Sequence, residues 1–402
     1  MPGRVPSLIV ILALAGACRS AERAGSTVQV ERDTIGDTSV VSTISGSIWG
    51  TEGRLEEELR IGLAEGAEEY VFGDVVELVP DGSGGVYIFD RQGPVLRHYD
   101  GTGRFMKTLG RQGGGPGEYR AIVGMGVRRD GRLMVHDAQN RRIAFYAPDG
   151  SPSGHWPVNS GLFIDRSLLV DSLDHTYIKA VTIERPGDPA APPWPIGLIH
   201  LDAEGRVVDT LYPPRIAGEP KSTGGPLAVA KTWELHPYGT VVGINRSYVF
   251  EIRRPNGTVT RIVRRHEPIP VSEGEWEAHE ARRRWEIADE GLSPEHAEET
   301  PRTKPAYRSF HVAQDGRIWV RKYMPSVPIP VDGEVRQGGP PPFPFMEPAG
   351  FDVFEPDGDY LGHVGVPPRT TIHWFGTDLL YGIRRGENDE QYVVRLRLKT
   401  AT

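Results

Sequence analysis

Val75-Val-Glu-Leu-Val79, Asp81-Gly82, Val86-Tyr-Ile-Phe-Asp90, Leu96-Arg-His-Tyr99, Asp100-Gly-Thr-Gly103 and Phe105 to Leu109 form one stretch of four short apolar runs separated by turns. Alternating apolar residues with Asp-Gly between them predict antiparallel hairpins, because glycine adopts the left-handed backbone of a tight turn at little cost. The pattern returns at a pitch of 49, where Asp130-Gly131, Leu133-Met-Val-His-Asp137, Ile143-Ala-Phe-Tyr146 and Pro148-Asp149-Gly150 fill the same places. A four-strand repeat of this length predicts small sheets arrayed around an axis.

Later copies are looser but keep the order of parts. Tyr177-Ile-Lys179 and Gly197-Leu-Ile-His-Leu201 with Asp202-Ala-Glu-Gly205 mark a third unit. Thr240-Val-Val-Gly-Ile244, Val249-Phe-Glu-Ile252 and Pro255-Asn256-Gly257 mark a fourth, and Asp315-Gly316, Ile318-Trp-Val320, Phe351-Asp-Val-Phe354 and Pro356-Asp357-Gly358 a fifth. The last unit has only three strands, Thr371 to Phe375, Leu379 to Ile383 and Tyr392 to Leu398. Its fourth is expected at the other end of the domain: Arg60-Ile-Gly62 followed by Glu69-Tyr70 matches Thr108-Leu-Gly110 followed by Glu118-Tyr119. Leu55 to Ile61 is therefore predicted as an outermost strand that joins the last three and closes the ring, leaving short, protected edges. The fold class expected is all-β, a six-bladed β-propeller of four-stranded antiparallel blades over residues 55–400 with one helical insertion.

Here the chain resembles bacterial six-bladed propellers of the NHL-repeat type, among them envelope lipoproteins. Gly110-Arg-Gln-Gly-Gly-Gly-Pro-Gly-Glu-Tyr119 is similar to that family's Gly-rich link between blades, and Asn140-Arg-Arg-Ile143 after Asp137 is a second match. The family name records an architecture, so function has to be argued from a site.

Residues 1–17 read as an export signal: Arg4, then the aliphatic run Leu8 to Ala17, ending in small residues. Ten apolar residues make a helix of roughly 15 Å, about half a bilayer's hydrocarbon thickness. Leu14-Ala-Gly-Ala-Cys18 resembles a lipoprotein box that acylates the single cysteine, Cys18, although Ala15-Gly-Ala17 also satisfies ordinary cleavage at the same bond. One cysteine excludes an internal disulfide or a multi-cysteine metal site. Residues 18–54, rich in Ser, Thr, Gly and acids, are expected to be a lipid-anchored tether spanning on the order of 30 Å. The alternative is that Val28 to Glu31 and Ser39 to Ser42 are edge strands of the domain.

The formal net charge of -8 makes nucleic acid an unlike partner and excludes the RNA-binding role of eukaryotic NHL propellers. The 49 glycines and 35 prolines lack any short period and fit many strands joined by turns. The expected location is the exported cell envelope, at an outer membrane facing the periplasm.

Several motifs resolve into structural readings. Gly113 to Gly117 lacks a following helix and a Gly-Lys-Ser/Thr, and Pro116 removes an amide, so it reads as a link rather than a phosphate loop. Ser272 to Glu299 is the helical insertion, with Trp276, Ala281, Trp285, Ala288 and Leu292 on one stripe. His279-Glu280 begins like a zinc-protease motif, but Arg283 stands where the second His is needed. Asp90 and Asp137 are expected to accept backbone amides beside turns. Arg91, Arg111, Tyr119, Arg141 and Arg142 are candidates for a partner-binding face.

Aligning the first strands on their turns brings Glu77, Glu234, His311 and, one residue looser, His373 to one depth, while Gly126 and Val170 leave the set incomplete. Facing a channel, Glu77, Glu234 and His311 would hold a divalent cation or do acid-base work, as in lactonases and lyases of similar architecture. Against that stands a structural role in binding channel water. No catalytic motif is legible, so the expected function is a membrane-held binding or scaffold module for a protein, peptide or glycan. The alternative is a metal-assisted envelope hydrolase or lyase. The proline-rich stretches Pro186 to Pro195 and Val327 to Pro348 are expected to carry specificity.

Overall fold

Antiparallel meanders of four strands dominate the computed structural model, which describes residues 28–158, 163–181, 196–220, 227–290, 299–331 and 338–400. The signal segment, Cys18 and Pro186 to Pro195 lie outside the described residues. Strands β1 (Gln29–Ile35), β2 (Thr38–Ser45) and β3 (Gly53–Ile61) precede the first meander, β4 (Val75–Pro80), β5 (Val86–Asp90), β6 (Val95–Tyr99) and β7 (Phe105–Leu109). A two-residue parallel pair, β8 (Arg111–Gln112) and β9 (Glu118–Tyr119), leads to the second, β10 (Ile122–Val127), β11 (Leu133–Asp137), β12 (Arg142–Tyr146) and β13 (Pro152–Pro157). The third is β14 (Phe163–Val170), β15 (Thr176–Val181), β16 (Ile196–Leu201) and β17 (Val207–Leu211); the fourth is β18 (Lys231–Glu234), β19 (Thr240–Ile244), β20 (Val249–Arg253) and β21 (Val259–Arg264).

After helix α1 (Glu273–Glu290) come β22 (Tyr307–Val312), β23 (Ile318–Lys322), the short pair β24 (Val327–Pro328) and β25 (Phe345–Met346), then β26 (Gly350–Phe354) and β27 (Tyr360–Gly365). The chain ends in β28 (Thr370–Phe375), β29 (Leu379–Arg385) and β30 (Gln391–Lys399). These last units form one eight-stranded sheet, ordered β22-β23-β26-β27-β3-β30-β29-β28. β3 lies antiparallel on β30 over Arg54 to Ile61 and touches β27 at Gly53 and Arg54.

Local chemistry sets the turns. Asp81 accepts from the amides of Ser83 and Gly85, Asp100 from Thr102 and Arg104, and Asp202 from Glu204 and Arg206, so each carboxylate closes the hairpin it precedes. At the other end of the sheets Asp90 accepts from Gly73 and Asp74, and Asp137 from Arg120 and Ala121, so these buried acids fix the links into first strands.

The units pack face to face about their first strands, with β28 against β4, β4 against β10, β10 against β14, and β18 against β22. An apolar cluster fills each seam between consecutive units, such as Phe89, Leu96, Leu133 and Val135 between the first and second. Gly126 serves this approach: a Cβ there would lie 2.7 Å from a Val170 methyl. This is a β-propeller.

The expected tether is corrected. β1 and β2 form a hairpin, and β2 runs parallel to β21 over Thr38 to Thr43, extending the fourth sheet outward. Val41 and Thr43 are buried there. Ile48 and Trp49 then donate to the carbonyls of Tyr360 and Leu361, and β3 follows. Residues 28–61 are thus a strap laid across the outer edges of the last three units. The β-branched run Val40-Val41 between Ser39 and Ser42 carried that signal, but a Ser/Thr-rich edge strand and a tether share a composition.

Helix α1 also differs from its expected stripe. Its buried side chains are Glu275, His279 and Glu280, while Ala288 is exposed. Lys304, fully buried, reaches Glu275 at 2.9 Å and Glu347 at 3.0 Å, and this ionic anchor fastens the helix. His279 sits against the Phe343 ring at 4.5 Å, and Glu280 pairs with Arg283 at 2.7 Å, so the partial protease motif is spent on packing.

Candidate functional site

Each first strand begins at the face that carries α1, and bulges recur there, at Val76 in β4, Val123 in β10, Arg308 in β22 and His373 in β28. The β4 ladder steps from Val75–Asp90 to Glu77–Phe89 and skips Val76; the β28 ladder steps from Ile372–Gly382 to Trp374–Tyr381 and skips His373. A bulged residue leaves the pleat and its side chain is re-aimed. Val76 and His373 both line a cleft of about 210 Å³ at this seam, with Val75, Thr371, Ile383, Arg385 and Gln391.

Gln391 is buried, and its Oε1 accepts from the Val75 amide at 2.8 Å, stitching β30 to β4 beneath the cleft. Arg384 is consumed by Glu57 at 2.6 Å and by the Thr370 hydroxyl, and Arg369 by Asp389 at 3.1 Å. Arg385 has no ion-pair partner among the described residues, and no lining residue of the cleft is acidic. The arrangement presents a guanidinium, a hydroxyl and an imidazole over an aliphatic floor.

A second cleft of about 360 Å³ lies at the rim, between Leu227 to Val229, Arg246 and the return from α1. Its lysine, Lys304, is already committed to Glu275 and Glu347. The first cleft is the better site because first strands from different units converge on it.

The structure does not assemble the expected channel set. Glu234 pairs with Val241 and His311 with Trp319, in each case the second residue of the second strand, so these two share a level. Glu77 pairs with Phe89, the fourth residue of β5, two rungs away; the residue level with Glu234 is Val79. The misalignment arises in the turns. Asp81 bonds Gly85 across the first hairpin as Ala313 bonds Arg317 across the fifth, so Asp81 corresponds to Ala313 and not to Asp315. Among the described residues no three His, Cys, Asp or Glu side chains are placed to hold a metal ion, which corrects the Glu77, Glu234 and His311 grouping.

Glu234 faces Lys179 at 3.4 Å, and burial pushes its carboxyl up against that pull. The His311 ring stacks on Phe375 at 4.9 Å.

The face candidates divide. Tyr119 is buried and its hydroxyl accepts from the Leu96 amide, so it is no surface residue, and half-buried Arg142 donates to the carbonyls of Gly115 and Glu118; both hold the Gly-rich link. Arg91, Arg111 and Arg141 are exposed on the cleft face, the first two paired with Asp74 and Glu118 at 2.8 Å.

One polar cluster escaped the sequence reading. At the opposite face Tyr177 stacks on His200 at 4.5 Å, and His200 bridges Asp209 at 3.0 Å and His175 at 3.2 Å. The first sheet repeats part of it, with Tyr87 stacked on His98 at 4.3 Å and His98 bonded to Asp81 at 2.8 Å. Equal cross-strand register of Tyr87 with His98 and Tyr177 with His200 was the available signal.

No protein-family model and no curated protein matches the sequence. A solved structure of a DUF4221 family member from Bacteroides vulgatus aligns with a TM-score of 0.51 at 12% identity, covering 87% of this chain and 99% of that one. Virginiamycin B lyase from Staphylococcus aureus aligns at 0.42 and 9% identity, over 87% and 100% of the chains. Regucalcin, a calcium-binding protein from Agrobacterium tumefaciens, aligns at 0.37 and 10% identity, over 86% and 96%. At these identities the first likeness bears on the fold alone, and the other two carry no argument about activity.

Proposed function

We propose that this chain is an exported, lipid-anchored propeller of the NHL type that works as a binding module for an envelope protein, peptide or glycan. The observation that carries the reading is the cleft between β4 and β28–β29, lined by Thr371, His373 and Arg385 and flanked on the same face by exposed Arg91, Arg111 and Arg141. Six blades are proposed for the ring, with β3 completing the last blade by its pairing to β30. The enzyme alternative loses only its Glu77, Glu234 and His311 grouping, which the first strands place at different levels.

The strap sharpens how the module would be held. Nine residues lie between Cys18 and Val28, the first described residue. Gln29 pairs with Ser45, and Thr43 with Arg264, so the chain enters beside the end of β21, at the cleft face. An acylated Cys18 would therefore turn that face toward the membrane.

The test is affinity capture from native membranes with the wild-type protein and with a triple variant, Arg91→Glu, Arg111→Glu and Arg141→Glu. A reproducible partner lost in the triple variant supports the reading; identical capture by both, or none, refutes it. Release of Cys18→Ser from the membrane is expected, and an unchanged distribution would remove the anchor.

A further inference from the structure

We propose that the cleft between β4 and β28–β29 takes a carboxylate carried on a small aliphatic group, with Arg385 as its counter-ion. This rests on the binding-module reading and names its ligand chemistry. Arg385 is exposed at the end of β29, without an acid within ion-pair distance among the described residues, whereas its neighbour Arg384 is neutralised by Glu57. A guanidinium fork matches the two oxygens of a carboxylate through parallel N–H bonds. Thr371 supplies a hydroxyl beside it, and His373 an imidazole that the bulge turns into the cleft.

The remaining walls are Val75, Val76 and Ile383. Val75 and Ile383 are buried, so Val76 offers most of the apolar surface, which suits a substituent of a methyl or two next to the charge. A single unpaired cation balances one negative charge, which fits a carboxylate better than a phosphate dianion. The C-terminus of a peptide ending in a small residue and a free short-chain acid share this chemistry.

The cleft is also a seam. Val75 and Val76 come from β4, and the polar groups come from β28 and β29, so a ligand seated there touches both sides of a junction otherwise stitched by the Gln391–Val75 bond. Occupancy should raise the melting temperature as well as register as binding.

The experiment uses the full chain and calorimetric titration with three probes: acetyl-Ala-Ala with a free carboxylate, the same dipeptide as its C-terminal amide, and propionate. The free acid is expected to bind and raise the melting temperature, the amide to bind at least about ten-fold more weakly, and Arg385→Gln to bring the acid down to the amide. Because Arg385 is exposed and unpaired, Arg385→Gln should melt with wild type in the absence of ligand. Propionate binding as well as the dipeptide assigns a free acid; binding of the dipeptide alone assigns a peptide terminus. Equal affinity for acid and amide, no effect of Arg385→Gln, or stabilisation by inorganic phosphate and not by any carboxylate overturns the proposal. If the carboxylates fail while face-dependent capture persists, this inference falls and the proposed function stands; if capture fails too, both fall.

Discussion

The seam between the fourth and fifth units and the seam between the third and fourth are built from the same parts and differ in nearly every term that holds them. The former buries six aromatic rings, with Phe250 against Phe310 at 5.1 Å, Tyr307 against Phe310 at 4.9 Å and Phe250 edge-on to Phe354 at 5.3 Å, joined by Tyr248 and Tyr360. Among the described residues the latter buries Tyr177, Leu198 and Leu235, with Leu169, Leu211 and Trp233 partly buried against them, and adds the Lys179–Glu234 pair. Buried aromatic pairs add about 0.5–1.5 kcal/mol each beyond their area, and an exposed ion pair under about 1 kcal/mol. The strap follows the same division, lying across the last three units, and among the described residues no strand lies beyond the outer edges β7, β13 and β17. One thin seam next to a thick one gives the propeller a defined place to open.

The thick seam also carries a buried ionic hub, and breaking it should have the largest effect. Asp352, fully buried, accepts from the hydroxyls of Tyr248 at 2.8 Å and Tyr360 at 3.2 Å, meets His363 at 3.0 Å and lies 3.1 Å from Arg264. Burial pushes its carboxyl up, but the His363 bond and the charges of Arg264 and Lys322 outweigh that and hold it below the ordinary range. Asp352→Asn keeps the shape and leaves Arg264 and Lys322 uncompensated, so urea denaturation should show a loss of about 3–5 kcal/mol. A loss under about 1 kcal/mol would mean that aromatic packing alone carries the seam.

Acid should act on the thin seam instead. Burial alone pushes the His236 imidazole down to about 4, next to Leu235 in that seam's small core. The folded value is depressed, so the unfolded chain binds the extra proton first. Stability is full above the ordinary histidine range and is lost as pH falls from about 6.5 toward 4, by at most about 3 kcal/mol. Amide exchange in β15 and β18 should quicken over that window before exchange in β20 and β26, and His236→Gln should flatten the response. Simultaneous exposure of all four strands would show that the ring has no preferred opening.

The contrast between the seams was only half legible in the sequence. Hairpins read from Asp-Gly and alternation, because turn geometry restricts residue type locally. The pairing of β3 with β30 read from the match of Arg60-Ile-Gly62 to Thr108-Leu-Gly110. Depth along the first strands did not read correctly, since Asp-Gly occupies the first two positions of the Asp81 turn but the third and fourth of the turn that begins at Ala313. His373 was found for its polarity and placed by a bulge, which no residue pattern announces. Arg385, the residue most distinctive of the cleft, has no acid opposite among the described residues while Arg384 has Glu57, and that is a property of three-dimensional pairing.

Two further changes sharpen the comparison at lower cost. Val41 on the strap is fully buried while Val207 on the outer edge of the third unit is 68% exposed, so the same substitution measures what the strap adds. Val41→Ala should cost about 2 kcal/mol in urea and Val207→Ala under about 0.5 kcal/mol. Equal costs would mean that the strap rests on the fourth sheet without bearing on its stability.

The smallest effect should come from the thin seam's own ion pair. Glu234 has its carboxyl raised by burial despite Lys179 at 3.4 Å, so desolvation outweighs attraction and the charged form is a burden on the fold. With the folded value above the unfolded one, its contribution is present below the ordinary carboxylate range and is lost as pH rises through the raised value. Glu234→Gln should therefore be neutral to stabilising at pH 7, by under about 1 kcal/mol, because both partners keep roughly a quarter of their side-chain surface open and are screened. It should also steepen the loss of stability on acidification just above the carboxylate range, because there the proton that wild-type Glu234 takes up in the folded chain offsets part of the His236 loss. A clear destabilisation by Glu234→Gln would show that Lys179 depends on this carboxylate, and that electrostatics rather than Tyr177, Leu198 and Leu235 hold the third unit to the fourth.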